Sequence, residues 1–407
     1  MRTQSDRIIT RAISAVLPDA AVKRALEQVS FPGRILLVAA GKAAWQMAKA
    51  ARDTLGDRIE KGIVITKYHH IMGPLGSIAC REAGHPVPDE NSFAATREAL
   101  ALVADLQETD TVLFLLSGGG SALFEVPLIP GEELQDITRQ LLACGAEITQ
   151  INTIRKRLSA VKGGRFAQSC APAKVYAIVL SDIIGDPLDM IASGPAYPDS
   201  STSEQALAIA ENYRLRLSDR ARLCLRQETP KVLDNVTTLI TGSVRELCRA
   251  AAQAASELGY APEILTDTLS CEAKEAGSWL AGIAREQAGS GRKLAFLAGG
   301  ETVVKLTGTG KGGRNQELAL SAAAGIQGLE NVCVFSIGSD GTDGPTDAAG
   351  GWVDGSTAGK LRQLGIEIPD VLQRNDAYHA LEKVNGLIHT GPTGTNVNDV
   401  AVVLVNG

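Results

Sequence analysis

Paired cysteines, stacking aromatics, an excess of positive charge and long apolar runs are all missing from this 407-residue chain. Its seven cysteines, Cys80, Cys144, Cys170, Cys224, Cys248, Cys271 and Cys333, stand singly. With no C-x-x-C pair they suggest neither a disulfide framework nor a thiolate metal site, and they suit a reducing compartment. The five histidines include the adjacent pair His69-His70 but no H-x-x-x-H spacing, so zinc is not expected. Aromatic residues are 4% of the chain, and 40 lysines and arginines face 46 acids for a net charge of −6. A nucleic-acid binder needs a basic footprint and gains from stacking platforms; neither is present. The apolar runs, such as Ile35–Ala40 and Val175–Leu180, reach six residues, well short of the roughly 20 that span a bilayer. The polar start Met1–Arg7 leads into no signal-peptide core. A cytoplasmic protein with neither nucleic-acid nor membrane partners is expected.

What the chain has in excess is glycine, 42 residues, or about 10% against a usual value near 7%. Short β-branched runs alternate with helical patterns, commonly with glycine between them. That alternation predicts an α/β architecture with mostly parallel strands. Ser5 is placed to cap a first helix ending near Pro18. Strands are predicted at Ile35–Ala39, Ile63–Thr66, Val112–Leu116, Val175–Leu180, Thr237–Ile240, Leu294–Ala298, Val303–Leu306 and Val332–Ile337. Helices are predicted over Ala43–Leu55, Ser92–Leu106, Asn152–Ala167 and Ser243–Leu258. A boundary within residues 230–236 divides the chain into domains 1–234 and 235–407. The crevice between two α/β domains is the default ligand site.

Four glycine-rich turns carry the chemistry. Gly41-Lys42-Ala43-Ala44 sits at a strand-to-helix turn, where free N–H groups and the helix dipole favour an anion. Lys42 either adds a mobile charge there or is a surface lysine after an ordinary turn. Ser117-Gly118-Gly119-Gly120-Ser121 spends three glycines where a turn needs one, which favours backbone wrapped around an oxyanion. Gly308-Thr309-Gly310-Lys311-Gly312-Gly313-Arg314-Asn315 matches G-x-G-x-x-G, but the acid expected about 20 residues on is not clearly placed, so a dinucleotide reading is weak. Lys311 and Arg314 suit phosphate better, or else the segment is a solvated basic loop. The run Gly338–Gly350 holds Asp340, Asp343 and Asp347, which suit either Mg²⁺ or turn capping. Asp182, Asp186 and Asp189 follow a buried strand and could supply a metal ligand or base. His85 in Gly84–Asp89 reads as conformational. Walker A, protein-kinase and G-x-S-x-G motifs are absent. The remaining inventory is that of phosphoryl transfer.

In these motifs the chain resembles the class II glycerate kinases, ATP-dependent glycerate 2-kinases whose C-terminal half is the MOFRL domain. The resemblance runs in order through Gly41–Ala44, Gly84–Asp89, Ser117–Ser121, Ile154–Ser159, Asp182–Asp189, Gly299–Thr302, Gly312–Glu317, Asp340–Asp347 and Gly394–Asp399. Small departures fall at Tyr68-His69-His70, Ser339 and Gly351. The family implies a Rossmann-like N-terminal domain with a mostly parallel sheet and a smaller α/β C-terminal domain, its MOFRL region spanning about residues 290–400. It implies transfer from ATP to the 2-hydroxyl of D-glycerate with Mg²⁺, and allows a homodimer. Lys42 and Arg314 map onto its catalytic residues. Ser117, Gly118, Gly119, Gly120, Ser121, Lys311 and Asn315 are then assigned to phosphate, and Arg155, Glu301 and Asp343 to orienting the substrate or its hydroxyl. Asp182, Asp189 and Asp340 are assigned to metal. Relatives have also carried the label hydroxypyruvate reductase, so a nicotinamide-dependent oxidoreductase is the alternative, and a non-catalytic nucleotide sensor a third class.

Overall fold

In the computed structural model, the chain is described at every residue except Gln28, Asp182, Ile184, Asp186 and Pro187. It divides into two compact units, Pro18–Thr241 and Met1–Leu17 with Gly242–Gly407. These differ from the 1–234 and 235–407 division in two ways. The segment Val236–Gly242 is a strand of the first sheet, so the break falls after it. The helix Arg2–Ala15 packs its Ile8, Ile9, Ala12 and Ile13 face into a core shared with Val244, Leu247 and Ala251, in the later unit.

The larger unit is built on six strands: β1 Ile35–Ala40, β2 Ile59–Lys67, β3 Ile78–Ala83, β4 Thr111–Leu116, β5 Lys174–Leu180 and β6 Val236–Gly242. Their order is β3-β2-β1-β4-β5-β6, that of a Rossmann fold. The registered pairs among β1 to β5 are all parallel. Both faces are covered, so β1 is apolar at every position, β4 is apolar after Thr111, and both are wholly buried. The two-residue period then sorts them: Leu36, Val38 and Ala40 enter one core, and Ile35, Leu37 and Ala39 the other.

The smaller unit has β7 Ala261–Leu269, β8 Leu294–Gly300, β9 Val332–Gly338, β10 Gly350–Asp354, β11 Leu387–Ile388 and β12 Asp399–Val405, in the order β11-β10-β9-β12-β8-β7. Here the sheet is mixed. Only β7 and β8 pair in parallel, and β12 runs antiparallel between β8 and β9.

Three sequence expectations change. Val303–Leu306 is not a strand; Val303 makes a single bridge to Glu272 in an otherwise irregular loop. Asn152–Ala167 is two helices, Ile148–Arg157 and Arg165–Ser169, because Gly163 and Gly164 take left-handed conformations between them. Ser5 lies inside the first helix, which Met1 caps. Among the described residues no helix is long and apolar enough to cross a membrane.

Candidate active site

In the larger unit the strand order reverses between β1 and β4, and both glycine turns leave the carboxyl ends of these neighbours. Ligands of open α/β sheets bind at this switch point. The turns are laced together. Lys42 N donates to Gly118 O at 2.9 Å, Ser117 N to Ala40 O at 3.0 Å, and Ala43 N to Ser117 Oγ at 3.1 Å. Gly41, at φ +127°, lies so close to Ser117 that a Cβ there would stand 2.2 Å from its Oγ. Gly119 is left-handed, at φ +86°. A Cβ on it would sit 3.0 Å from His85 Cδ2 and 3.2 Å from Lys42 Cγ. The glycine thus keeps open a concavity edged by a lysine and a histidine.

Donors in that concavity are unspent. The amides of Gly118 and Gly119 have no acceptor, and the Lys42 ammonium has neither hydrogen bond nor ion pair, among the described residues. His85 is half-buried; burial lowers its pKa, and the charges of Lys42, Lys67 and His70 lower it further. Its ring is therefore neutral near pH 7, with its Cδ2 edge beside Gly119. From its sequence context alone, His85 reads only as conformational.

Beneath this turn lies a fully buried ion pair. Lys162 Nζ is 3.1 Å from Glu125 Oε2, with both side chains at zero exposure. Lys162 also donates to the carbonyls of Ser121 (2.8 Å) and Phe124 (2.9 Å). Burial brings its pKa down to about 8, against the opposing charge of Glu125. Arg155 Nη2 reaches the same Ser121 carbonyl at 3.0 Å. Of the metal candidates in this unit, Asp189 is 3.3 Å from Lys156, and Asp182 lies outside the described residues.

In the smaller unit, Arg314 opens the helix Arg314–Gly325, which follows β8. The antiparallel β12 brings its first residue, Asp399, opposite the last residues of both β8 and β9. Arg314 donates through Nε and Nη2 to Asp399 at 2.5 and 3.1 Å, and through Nη1 to Glu301 at 2.7 Å. Burial works against its charge, but the Asp399 bond prevails and raises its pKa. The arginine is permanently charged and its planar fork is fixed in direction. In the sequence Asp399 is only the last residue of the Gly394–Asp399 motif; nothing local marks it as the partner of a residue 85 positions earlier.

Asp343 and Asn315 act from below. Asp343 is 2% exposed and accepts from the amides of Asn315 (3.1 Å) and Gln316 (2.8 Å), capping the helix that carries Arg314. Asn315 is 1% exposed and spends its side chain on Asp343 and Ser336. Both groups hold the arginine's helix in place and neither reaches solvent. Lys311 lies over the Tyr378 ring at 4.0 Å. Asp340 Oδ1 accepts from Thr342 N at 2.9 Å and its carboxylate has no cationic partner among the described residues. The G-x-G-x-x-G segment belongs to an irregular loop in which Asn375 Oδ1 accepts from the amides of Thr307 and Gly308. That is backbone anchoring, not a pyrophosphate turn after a strand.

Residues 4–226 match a family described as a domain of unknown function, DUF4147, and residues 294–399 match the MOFRL family. A D-glycerate 2-kinase of Thermotoga maritima is 54% identical over 98% of this chain and 97% of its own. A glycerate 2-kinase of Pyrococcus horikoshii is 42% identical over 98% of this chain and 96% of its own. The crystal structure of a glycerate kinase from Thermotoga maritima superposes with a TM-score of 0.96 at 53% identity, covering 99% of both chains.

Proposed function

The chain belongs to the glycerate kinase family with a C-terminal MOFRL region, and on that premise we infer that it transfers the γ-phosphoryl group of ATP to the 2-hydroxyl of D-glycerate. The products are ADP and 2-phosphoglycerate. The observation that carries the reading is a Lys42 ammonium without a partner among the described residues, beside the unspent Gly118 and Gly119 amides at the sheet's switch point. A lysine charge and free amides in a glycine concavity match the oxygens of a phosphate chain.

Phosphoryl transfer asks the protein chiefly to position groups and stabilise spreading charge. Lys42 supplies a compact charge that can follow the phosphoryl oxygens. Arg314 supplies a planar fork held in place by Asp399 and Glu301. Ser117 fixes the turn through its bond to the Ala43 amide, and Lys311 adds positive charge to the smaller unit.

Mg²⁺ is the expected counter-ion of ATP. Among the described residues no three His, Cys, Asp or Glu side chains gather into a metal cage. Mg²⁺ that arrives with a nucleotide is commonly held by phosphate oxygens and one or two carboxylates. Of the described carboxylates assigned to metal, Asp340 has no cationic partner, whereas Asp189 is committed to Lys156. The cysteines, all free, suit the reducing cytoplasm.

The test is a coupled assay of purified protein with ATP, Mg²⁺ and D-glycerate, which should yield ADP and 2-phosphoglycerate. Activity undiminished by excess EDTA refutes the metal requirement. Oxidation of NADH or NADPH by hydroxypyruvate without ADP formation would favour the reductase. The geometry speaks against that reading, since the one G-x-G-x-x-G segment is anchored on Asn375 within a loop.

A further inference from the structure

The segment Arg155–Lys162 carries four buried or half-buried cations, and three of them are neutralised. Lys156 lies between Asp189 (3.3 Å) and Asp199 (3.1 Å). Arg157 contacts Asp199 (3.6 Å) and Glu228 (3.2 Å), and Lys162 contacts Glu125. Arg155 has no carboxylate within ion-pair distance among the described residues. Its single hydrogen bond goes to the Ser121 carbonyl, and its Nε is buried with no partner at all. A desolvated guanidinium with unfilled donors is costly unless an anion completes it.

Around Arg155 the chain holds further polar groups at evident expense. Ala192 and Ser193 are consecutive non-glycine residues at φ +50° and +61°, a conformation that side chains resist and that persists where function needs it. It brings Ser193 Oγ to Asn152 Oδ1 at 2.9 Å and to Ser121 Oγ at 3.3 Å. Asn152 and Arg155 are three residues apart on one helix and share a face. Arginine, serine and asparagine thus meet beside Ser121, two positions beyond the Gly119 concavity.

We propose that Arg155, at the edge of the Ser121–Ser193–Asn152 hydrogen-bond chain, is the receptor for the carboxylate of the acceptor substrate. The proposal rests on the glycerate kinase reading and adds to it the means of telling a hydroxy acid from a neutral polyol. In glycerate the carboxyl carbon is bonded directly to the carbon bearing the reacting hydroxyl. A carboxylate receptor must therefore adjoin the phosphate cradle, as Ser121 adjoins Gly119. Arginine's planar fork matches a carboxylate with two parallel hydrogen bonds, which the point charge of Lys42 does not.

Arg155→Met and Arg155→Lys are to be assayed for dependence on each substrate, with thermal unfolding recorded beside. Losing a desolvated charge partner should raise the KM for D-glycerate on the order of 30-fold or more in Arg155→Met while the KM for ATP stays within about two-fold. The preference for D-glycerate over glyceramide, its neutral amide, should fall by a similar factor, and Arg155→Lys should restore part of it. An equal rise in the KM for ATP, or an unchanged preference over glyceramide, overturns the assignment. If Arg155→Met does not fold, the same two measurements on Arg155→Lys decide. A parent enzyme that forms no ADP with D-glycerate sinks the kinase reading itself, an outcome distinct from either.

Discussion

The amide of Lys42 donates to the carbonyl of Gly118 at 2.9 Å, so the charged residue after β1 and the triple-glycine turn after β4 are one piece of bonded backbone. A disturbance of either turn should be felt by the other.

Gly119→Val tests the concavity. The left-handed φ costs an L residue about 1–2 kcal/mol, and the new side chain would crowd His85 and Lys42. We expect a folded protein of somewhat lower melting temperature that no longer binds ATP measurably by calorimetry. Normal binding of both ATP and 2-phosphoglycerate would make the turn purely structural.

Lys42→Ala should remove turnover, whereas Lys49→Ala should not, because Lys49 is half-exposed and merely pairs with Asp53 one helical turn away. Arg314→Lys keeps the charge but cannot span both Asp399 oxygens and Glu301 together. An arginine at a phosphoryl-transfer site is worth about 10³–10⁵ in rate, so kcat should fall at least about a thousand-fold. Retention of kcat within a few-fold would remove that variant's residue from the catalytic machinery.

Lys162→Met should strand Glu125, whose carboxylate oxygens have no hydrogen-bond partner and rely on the Lys162 charge. Breaking a buried pair in this way costs about 3–5 kcal/mol. The double variant Lys162→Met/Glu125→Leu should recover much of that loss, read from urea midpoints. A double variant no more stable than the single one would show that Lys162 acts through the Ser121 and Phe124 carbonyls instead.

Asp343 gives a pH signature. Burial, aided by nearby Asp399 and opposed by the Gln316 and Asn315 amides, pushes its pKa up to about 6, against about 3.9 when unfolded. Between these values the native state holds the proton that the unfolded state has lost, so this group's contribution to stability falls as pH rises from about 4 to about 6. The full change is on the order of 2–3 kcal/mol. The stability of Asp343→Asn minus that of the parent should therefore climb across this window and level off above it. A flat difference would mean that Asp343 titrates like an exposed carboxylate.

Legibility followed burial. β1, β4, β5, β8 and β9 are mostly apolar runs closed by glycine or serine, and the sequence announces them because both faces are covered. β3, Ile-Ala-Cys-Arg-Glu-Ala, was invisible: as an edge strand it needs only two buried residues. Val303–Leu306 misled in the opposite sense, its Val303 and Leu306 being exposed at 57% and 80%. Lys42 and the serine–glycine turn could be found because their chemistry is contiguous. Asp399, Ser193 and Asn152 could not, since each acquires its role from partners brought up by the topology. Asp343 was visible as an acid but not as a cap, because a helix N-terminus 28 residues away claims it.

The helix Arg2–Ala15 belongs with residues 242–407, although the whole of the other unit lies between them in the chain. At about 5–20 residues per second of synthesis, those intervening residues take on the order of tens of seconds to emerge. During that time Ile8, Ile9, Ala12 and Ile13 have no permanent partners, while residues 18–241 can already close their own core. The nascent chain thus carries an unsheltered greasy stripe ahead of its first finished unit, a natural handle for a chaperone.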